Sequence, residues 1–437
     1  MTLPPKILIV GGGVFGLSTA LSLSKRHPTS QVTVLEASAT IPNPAGSSVD
    51  TSRIVRADYS SPVYAKLAAD AIEKWRNTEW GQEGRYTQNG LLLVYPDGDS
   101  NGKDYALKSY HNVKKLEGKN VELLPSQEDV LRAGPAFGPN LGVSGGYVNW
   151  GSGWSDAEAG VRFAKKQLDE DGKVRFQTGE VQSLLHGADK RTVTGVVLAD
   201  GTTVTADLVV LATGAWSTKL IDLRGRAVST GQALAYMHIT DEEQTRLAHM
   251  PTILNFATGM FILPPRNNLL KIACHAYGYI NPKTVPVPGA NGKSMTVSFP
   301  EPDLPIPARE EHEFRMALKQ LVPELADRPF CKTRVCWYTD TPKGDFIITH
   351  HPDHPGLFVA TGGSGHGYKF FPVLGDKIVD AMEGSLDKEL REMWAWPTPV
   401  DEATFHGTED GSRSGPKGLK LKEEIAKGKK AQRASSL

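Results

Sequence analysis

The chain has 437 residues, and 49 lysines and arginines balance 49 aspartates and glutamates, so its formal net charge is +0. This length predicts two domains, and neutrality argues against nucleic acid and membrane surfaces as partners and favours a small-molecule substrate. No apolar run reaches the roughly 18 residues of a membrane span, and the three cysteines (Cys274, Cys331, Cys336) form no disulfide framework, which favours a reducing compartment.

The first 36 residues contain a dinucleotide-binding fingerprint. An apolar run precedes Gly11-x-Gly13-x-x-Gly16, and a second apolar run ends at Glu36. The glycines permit a tight turn and a close approach to a pyrophosphate, while Glu36 is placed to bind a ribose diol. Because its charge would repel a 2′-phosphate, NADP is disfavoured. The fingerprint alone does not identify the dinucleotide, so a pyridine-nucleotide dehydrogenase is a rival hypothesis.

Helices and strands alternate through the middle of the chain. Apolar spacing predicts a helix over residues 60–77, and residues 98–103 read as a surface loop. Asp156 is a predicted N-cap of a second helix. Residues 231–298 alternate as in an antiparallel sheet, and a further helix is predicted over residues 307–321.

A second glycine-rich segment, residues 362–370, lies between a predicted strand and a predicted helix. It repeats the order of the fingerprint, so we interpret it as another wall of the cofactor site. The cofactor domain is then discontinuous, with a sheet domain inserted into it. The predicted limits are 1–60, 150–225 and 325–395 for the cofactor-binding domain, 61–149 and 226–324 for the substrate-binding domain, and 396–437 for a flexible polar tail.

Two pairs of side chains have a spacing that favours chemistry. Arg53 and Arg56 are three residues apart, and two cations on one face repel each other unless an anion lies beside them. Lys271 and His275 are four residues apart in a predicted strand, so they share one face of it.

One cysteine is a candidate nucleophile, and a cluster of three histidines is a candidate set of metal ligands. Cys336 is close in sequence to Arg334, and a neighbouring cation favours the nucleophilic thiolate. His350, His351 and His354 are clustered, but prolines interrupt the segment and no acid completes a ligand set. No metal site is therefore predicted.

Four motifs resemble one group of flavoenzymes. They are GSSVDTSRIVRADY (46–59), KIACHAYGY (271–279), RVCWYTDTPKGDFIITHHP (334–352) and GSGHGYKF (363–370). Together they are similar to the monomeric sarcosine oxidase, pipecolate oxidase and fructosyl amino acid oxidase (amadoriase) group. The resemblance implies an α/β fold, with a Rossmann-like FAD-binding domain of the GR2 or D-amino acid oxidase type and an inserted mixed, largely antiparallel β-sheet substrate domain.

The same resemblance implies roles for individual residues. FAD is expected to be covalently attached through Cys336, and Arg56 and Lys369 to bind the substrate carboxylate. His275 is expected beside the amine, and Lys271 at the opposite flavin face, where O₂ is reduced; with Arg56 and Lys369 these are the predicted catalytic residues. The predicted cofactor-binding residues are Gly11, Gly13, Val14, Phe15, Gly16, Glu36, Ser48, Arg53, Val181, Cys336, Gly363, Gly365, Gly367 and Lys369.

The predicted function is an FAD-dependent oxidase of secondary amino acids of the sarcosine, N-methyl amino acid, L-pipecolate or saccharopine type. A hydride equivalent passes from the C–N unit to flavin N5, the imine hydrolyses, and O₂ is reduced to H₂O₂. Fructosyl amino acid oxidases carry a carboxylate where this chain has His275, and no acid lies between Lys271 and Asn281. Oxidation of glycated amino acids is the alternative, because LVPELADRP and VDAMEG resemble fungal fructosyl amine oxidases. A flavoprotein without turnover is a further alternative.

The sequence also supports predictions of location and partners. Ser435-Ser436-Leu437 partly resembles the S-K-L peroxisomal address, which predicts a peroxisomal import receptor as a partner. The cytoplasm is the alternative location. The other predicted partners are an amino acid substrate and O₂, and the resemblance implies a monomer.

Overall fold

The computed structural model describes residues 2–98, 100–289 and 292–435, so Ser436 and Leu437 of the predicted peroxisomal address lie outside the described residues. The α-helices are α1 Val14–Arg26, α2 Pro62–Asn77, α3 Asn101–Glu117, α4 Gln127–Ala133, α5 Ala157–Asp171, α6 Asp241–Leu247, α7 Ala308–Leu321, α8 Phe371–Glu383, α9 Lys388–Met393 and α10 Leu421–Ser435. The 3₁₀ helices are Glu79–Gly81, Gly118–Asn120, Gly214–Lys219, Pro323–Leu325 and Tyr368–Phe370.

The strands are β1 Lys6–Val10, β2 Gln31–Glu36, β3 Arg53–Val55, β4 Tyr86–Thr87, β5 Leu91–Tyr95, β6 Val121–Leu124, β7 Gly145–Asn149, β8 Gly153–Ser155, β9 Val174–Thr178, β10 Val181–His186, β11 Val193–Leu198, β12 Thr203–Thr205, β13 Leu208–Leu211, β14 Val228–His238, β15 Thr252–Asn255, β16 Met260–Ile262, β17 Leu269–Cys274, β18 Tyr279–Ile280, β19 Pro282–Pro286, β20 Ser294–Ser298, β21 Lys332–Asp340, β22 Ile347–His350, β23 Leu357–Thr361 and β24 Leu419–Lys420. Within the described residues, no helix is long and apolar enough to span a membrane.

A six-stranded sheet in the order β22-β23-β13-β1-β2-β9 carries the fingerprint. Its strands are parallel except β22, which pairs antiparallel with β23. Side chains of β1 alternate between two cores: Ile7 and Ile9 face a core shared with α1, α5 and α8, whereas Leu8 and Val10 face the small sheet β10-β11-β12. Apolar side chains on both faces explain why β1 reads as a continuous hydrophobic run.

Helix α1 begins directly after the fingerprint and packs closely against α8. A Cβ on Gly375 of α8 would lie 1.9 Å from the backbone oxygen of Ser18, so this contact requires glycine. A Cβ on Gly16 would similarly lie 1.9 Å from the oxygen of Gly11. These two contacts hold the start of α1 close to the sheet, where its N–H groups face the cofactor site.

A larger mixed sheet of ten strands forms the second half of the molecule. Its long strand β14 pairs with β17 on one side and with β21 over nine residues. Ala233, Ala235 and Met237 of β14 pack in one core with α7, whereas Leu234 and Tyr236 face the opposite side together with Cys336. The period of two therefore directs every second residue of this sheet toward the cofactor domain.

Several predicted elements are present. The apolar face of α2 is buried, Asp156 caps α5 by accepting from the N–H of Ala159 at 2.9 Å, and α7 begins after Pro307. The predicted loop at 98–103 is wrong in its second half, because Ser100 caps α3 and accepts from Lys103 N. The segment 231–298, predicted as an antiparallel sheet, also contains a helix, α6. A capping box at Thr240 stabilises this helix.

The C-terminal segment also differs from the predicted flexible polar tail. β24 joins the large sheet beside β18, and α10 packs near α7. Arg413 is buried because Asp340 neutralises its charge. β21 lies within the predicted cofactor-binding segment 325–395 yet pairs with β14 of the large sheet, so it joins the two halves. The remaining domain limits stay predictions.

Candidate active site

A cavity of about 430 Å³ opens at the carboxyl ends of β1 and β2. Gly11 there has φ +110°, and a Cβ on it would lie 2.4 Å from the oxygen of Ala212. A Cβ on Gly13 would lie 2.9 Å from Oγ of Ser48, and that Oγ accepts from the N–H of Val14 at 3.1 Å. The turn can therefore pack this closely against Ala212 and Ser48 only because Gly11 and Gly13 lack side chains.

Glu36 lies in the wall of this cavity, and three donors fix its carboxylate. The N–H of Gly12 donates to Oε2 at 2.7 Å, and the N–H of Ser38 and Nδ2 of Asn43 each donate to Oε1 at 2.9 Å. Val181 lines the same cavity. A carboxylate held in this way is a preorganised acceptor for hydroxyl groups, as the ribose-diol prediction requires.

A second cavity of about 90 Å³ continues from the first, with which it shares Gly13 and Ser48. Phe15, Gly363, Gly365 and Gly367 line it. A Cβ on Gly367 would lie 2.9 Å from the Phe15 ring, and one on Gly365 would lie 2.5 Å from the Tyr338 ring. The two glycine-rich segments, distant in sequence, are thus opposite walls of one space.

Cys336 lies beside this space, in β21, and is buried. Its Sγ is 3.5 Å from Nη2 of Arg53, whose side chain lines the second cavity. Arg334, which the sequence suggested as the neighbouring cation, instead donates to the backbone oxygens of Val49 and Gly46. The structure therefore replaces Arg334 by Arg53 as the cation next to the thiol.

Asp50 is the centre of a buried ionic cluster beside Cys336. Its carboxylate accepts from Lys271 Nζ at 2.7 Å, from Tyr236 OH at 2.5 Å and from Arg53. Burial acts to raise the pKa of Asp50, but Lys271 and Arg53 outweigh it and hold the pKa well below its usual range. Burial lowers the pKa of Lys271 to about 8, although Asp50 opposes the shift.

A third cavity of about 70 Å³ continues from the second, with which it shares Arg53 and Tyr338. Arg56 and Lys369 both line it and are 6% and 5% exposed. Among the described residues neither forms an ion pair with a carboxylate, and Nη1 of Arg56 has no hydrogen-bond partner. Burial and the nearby Arg56 lower the pKa of Lys369 well below its usual value. Neither cation therefore has a direct anionic partner among the described residues. The buried carboxylate of Asp58 attracts both at longer range, while its own hydrogen bonds come from Ser152, Asn149 and Tyr147.

A chain of directed hydrogen bonds holds Lys369. Its Nζ donates to Tyr59 OH at 2.8 Å, and Tyr59 OH lies 3.0 Å from Nδ1 of His366. Nε2 of His366 lies 2.7 Å from the oxygen of Gly344, which can only accept. Nε2 therefore carries the proton, and Nδ1 accepts from Tyr59. Burial lowers the pKa of His366 well below its usual value, in agreement with a neutral ring.

His275 lies just past the end of β17 and lines the third cavity with Lys271, as their shared face predicted. Its Nε2 is 3.2 Å from Oγ of Ser412, and its Nδ1 is 3.3 Å from Nη1 of Arg413. Burial, and after it the charge of Arg413, lower the pKa of His275 well below its usual value. His275 is thus a neutral side chain at this site.

The structure brings most of the predicted residues to these three cavities. Gly16 is the exception among the glycines, because it lies beneath the turn. Sequence reasoning did not single out Asp50, Tyr59, His366, Ser412 or Arg413. His366 lies inside the quoted motif GSGHGYKF, and Asp50 and Tyr59 lie inside GSSVDTSRIVRADY, whereas Ser412 and Arg413 had no signal.

The clustered histidines that were candidate metal ligands make contacts with other parts of the protein. His350 Nε2 lies 3.2 Å from the oxygen of Met382, and His354 Nδ1 lies 3.1 Å from the oxygen of Arg191. Over the described ranges, no group of three histidine, cysteine, aspartate or glutamate side chains is arranged to hold a metal ion.

The site fits a dinucleotide and an acidic ligand. The glycine turn and the fixed carboxylate of Glu36, in cavities that share lining residues, suit a dinucleotide, and the unpartnered Nη1 of Arg56 suits an anion next to it. The residues that would hold the dinucleotide are thus those of the first two cavities, and those that would hold the anion are in the third.

Comparisons with known proteins agree with this geometry. The family model described as DAO, FAD dependent oxidoreductase, matches residues 6–381. The chain is 31% identical to amino acid oxidase imqH of Aspergillus flavus, over 91% of this chain and 98% of the relative. It is 29% identical to L-saccharopine oxidase of Schizosaccharomyces pombe, over 89% and 92% of the two chains. The structure of fructosyl peptide oxidase from E. terrenum superposes with a TM-score of 0.84, at 27% identity, over 96% of both chains.

These findings confirm the predicted family, the fold class, the dependence on FAD and the enzyme class, an FAD-dependent amine oxidase. They argue against the rival pyridine-nucleotide dehydrogenase. By the extent of the family match and the identity to its relatives, this chain belongs to the DAO family of FAD-dependent oxidoreductases.

Proposed function

We propose that this protein oxidises secondary α-amino acids, binding them by their carboxylate beside FAD. The observation that carries the proposal is the pair Arg56 and Lys369, two buried cations that line the third cavity and have no direct ion pair among the described residues. An isolated buried charge is costly, so the pair favours a ligand that supplies the missing negative charge. A guanidinium and an ammonium on one carboxylate also fix its orientation.

The aromatic side chains around Arg56 support a fixed docking geometry. Its guanidinium lies 4.8 Å from the centroid of the Tyr59 ring and 6.0 Å from that of Tyr105, and Nη2 donates to Tyr105 OH at 3.5 Å. Tyr59 also accepts from Lys369. Tyr59 therefore connects the two cations, and both keep their positions before a substrate arrives.

The other end of the cavity suits an amine. Leu254 and Phe261 supply apolar wall, and the neutral His275 adds no positive charge that would repel the substrate nitrogen. When bound, FAD supplies the acceptor for a hydride equivalent from the C–N unit and the means to pass two electrons to O₂. The chain's own residues orient the C–H bond and keep water from the site.

Lys271 supports the second half of the reaction. Its ammonium lies in the same cavity, and Asp50 stabilises the charge through the 2.7 Å contact. A fixed cation favours the negative charge that develops on oxygen during reduction of O₂. In this proposal Lys271 acts on oxygen, and Arg56 and Lys369 act on the substrate.

The charge of the cavity favours N-alkyl, cyclic or saccharopine-type amino acids over glycated ones. The wall contains Arg53, Arg56, Lys271 and Lys369 but no carboxylate that could accept from the hydroxyl groups of a sugar. The structural likeness to fructosyl peptide oxidase favours glycated amino acids as the second candidate. Both candidates present a secondary amine and a carboxylate.

The decisive experiment is a peroxide-coupled screen of the FAD-loaded enzyme. Sarcosine, pipecolate, saccharopine, other N-methyl amino acids and fructosyl-valine are compared with the same amines lacking the carboxylate. We expect H₂O₂ with at least one carboxylate-bearing secondary amine and little with its decarboxylated counterpart. Equal rates with the two would contradict the docking proposal, and bleaching without turnover would indicate a flavoprotein that is not an oxidase.

We further propose that FAD is linked to Cys336. A cation stabilises the thiolate form of a cysteine, and the Arg53 guanidinium lies 3.5 Å from the sulfur. Changing Cys336→Ser should make the flavin extractable by acid, whereas the exposed Cys331→Ser control should leave it in the protein precipitate. Flavin that stays in the precipitate with Cys336→Ser would disprove the linkage.

Location and assembly stay predictions from the sequence. A peroxisomal site suits an enzyme that releases H₂O₂, and one relative is the peroxisomal sarcosine oxidase of Mus musculus. Imaging of an N-terminal fluorescent fusion, with and without the last three residues, tests the location. Size-exclusion chromatography with light scattering tests the predicted monomer.

A further inference from the structure

The segment formed by residues 405–415, here named the C-terminal strap, is anchored against the active site. Thr408 Oγ1 donates to the oxygen of Thr341 at 3.0 Å, and the N–H of Glu409 donates to the oxygen of Pro342 at 2.8 Å. Ser414 pairs with Ala276, the residue after His275. The strap lies beyond the part of the chain that the family model matches, which ends at residue 381.

Arg413 is the strap's deepest charge. Its side chain is 1% exposed and pairs with Asp340 at 2.9 Å, and it also donates to the oxygen of Ser364 at 2.9 Å. A Cβ on Gly365 would lie 3.1 Å from Nη2 of Arg413, so the guanidinium is in close contact with the glycine loop. One side chain therefore joins β21, the glycine loop and His275.

The hydrogen bonds around His275 determine its protonation. Arg413 can only donate, so Nδ1 of His275 must accept, and the ring is neutral with its proton on Nε2. Nε2 then donates to Ser412 Oγ at 3.2 Å, and Ser412 in turn donates to Oδ1 of Asp410 at 2.6 Å. From Nη1 of Arg413 to Asp410 each donor meets an acceptor, while Nε of Arg413 has no partner among the described residues. Both ring nitrogens of His275 are occupied by the strap.

We propose that the strap is part of the active site, in which Arg413 and Ser412 are positioning residues that hold His275 as the neutral Nε2–H tautomer and prevent it from acting as a base. The inference rests on the proposed amine oxidation. A proton on Nδ1 would point at a guanidinium, so His275 cannot take one up without breaking the contact. His275 then serves as a fixed neutral wall beside the amine, where an imidazolium would oppose the positive charge that develops on the C–N unit during oxidation.

Other charged groups also surround His275. The positive charges among them lower its pKa, as Arg413 does, and the carboxylates lie further along the hydrogen-bond network. Lys271 lies on its own strand. The groups that face it from other elements are Arg413 and, through Ser412, Asp410 from the strap, Arg56 after β3, His366 and Lys369 from the glycine loop, and Asp340 behind Arg413.

The first experiment removes both charges of the buried pair, so that neither is left unpaired. The double change Arg413→Gln and Asp340→Asn is made in the FAD-loaded enzyme, with the exposed pair Arg224→Gln and Asp222→Asn as a matched control. Anaerobic flavin reduction is followed against pH. We expect an ionisation at a higher pH than in the wild type, still below the usual range of histidine because burial remains, and a rate that falls about tenfold per pH unit below it. Adding His275→Asn should abolish this ionisation. An unchanged profile would overturn the proposal.

The second experiment needs no substrate and no change at Arg413 or Asp340. Full-length FAD-loaded protein is labelled with ¹⁵N-histidine, and His275→Asn identifies the signal of His275. We expect a neutral Nε2–H ring at pH values well below the usual ionisation of histidine. An imidazolium, or a proton on Nδ1, would refute the assignment. If no substrate reduces the flavin, the proposed function fails, while this measurement still decides the tautomer.

Discussion

Two clusters of buried cations line the third cavity, and they differ in how their charge is compensated. Arg53 and Lys271 share Asp50, a carboxylate supplied by the chain, and the cluster is complete without a ligand. Arg56 and Lys369 have aromatic and backbone contacts, and within the described part of the chain neither pairs directly with a carboxylate. The first cluster therefore keeps its charge throughout a reaction cycle, and the second holds its charge at a cost until an anion binds. This difference separates a permanent electrostatic element from a binding site.

The largest expected effect comes from removing the shared anion. Changing Asp50→Asn leaves Lys271 and Arg53 buried without their partner, and breaking such a pair costs about 3–5 kcal/mol of unfolding free energy. Urea denaturation of the FAD-loaded protein measures it. Asp70→Asn, which breaks the exposed pair with Lys66, is the matched control and should cost at most about 1 kcal/mol. Equal losses in the two variants would remove the distinction between the clusters.

Changing Lys271→Met tests the permanent charge directly. We expect O₂ consumption by the substrate-reduced enzyme to slow by about 10²–10³-fold, the usual effect of losing one preorganised electrostatic contact. Anaerobic reduction by the substrate should change little, because Lys271 does not hold the carboxylate. Stopped-flow measurement of the two half-reactions separates the effects, and slowing confined to the anaerobic half would contradict the assignment.

Changing Arg56→Met should have the opposite signature from Asp50→Asn. The KM for carboxylate substrates should rise about 10–150-fold, for a lost charge-assisted contact of about 1.5–3 kcal/mol. The unfolding free energy of the substrate-free enzyme should fall less than in Asp50→Asn, because Arg56 has no direct ion pair among the described residues and loses only its tyrosine contacts and the longer-range attraction of Asp58. Arg162→Met, at the protein surface, serves as a control for charge removal. An unchanged KM would remove Arg56 from the site.

The smallest expected effect is in the pH dependence of binding. Burial and Arg56 lower the pKa of Lys369 in the free enzyme, and a bound carboxylate would raise it again. As pH rises through the lowered pKa, Lys369 loses its proton and the KM should increase, by at most about tenfold per pH unit. The variant Lys369→Arg keeps its positive charge at every assay pH, so the ratio of the wild-type KM to the variant KM should rise with pH. The ionisation of the substrate amine affects both KM values equally and does not change this ratio. A constant ratio would mean that Lys369 does not titrate in the assay range.

The sequence predicted the parts of this site that have local signals. Gly11, Gly13 and Glu36 occur at the spacing of one strand–turn–helix unit, and a period of two placed Lys271 and His275 on one face. These predictions need only the geometry of a single element. The order of strands and helices predicted a discontinuous cofactor domain with an inserted sheet domain, and the resemblance to one group of flavoenzymes implied the rest of the fold class.

Contacts between distant elements had no such signal. Asp50 and Lys271 are 221 residues apart, and Arg413 and His275 are 138 apart, so no periodicity links them. The polar composition after residue 396 also resembled a solvated tail. The sequence does not show that Arg413 is neutralised, because its partner Asp340 lies far away in the chain, in β21. Helix α3 was missed since Ser100, a turn residue in sequence, is its N-cap.

The order of strands in the six-stranded sheet has a consequence for biosynthesis. β1 is made first, yet it pairs with β13, and β13 pairs with β23, which ends at Thr361. Translation must therefore reach Thr361 before the pocket for FAD can close, and Cys336 emerges only shortly before that point. Nascent chains arrested before residue 330 should not retain flavin, so loading of the prosthetic group follows, rather than guides, most of translation.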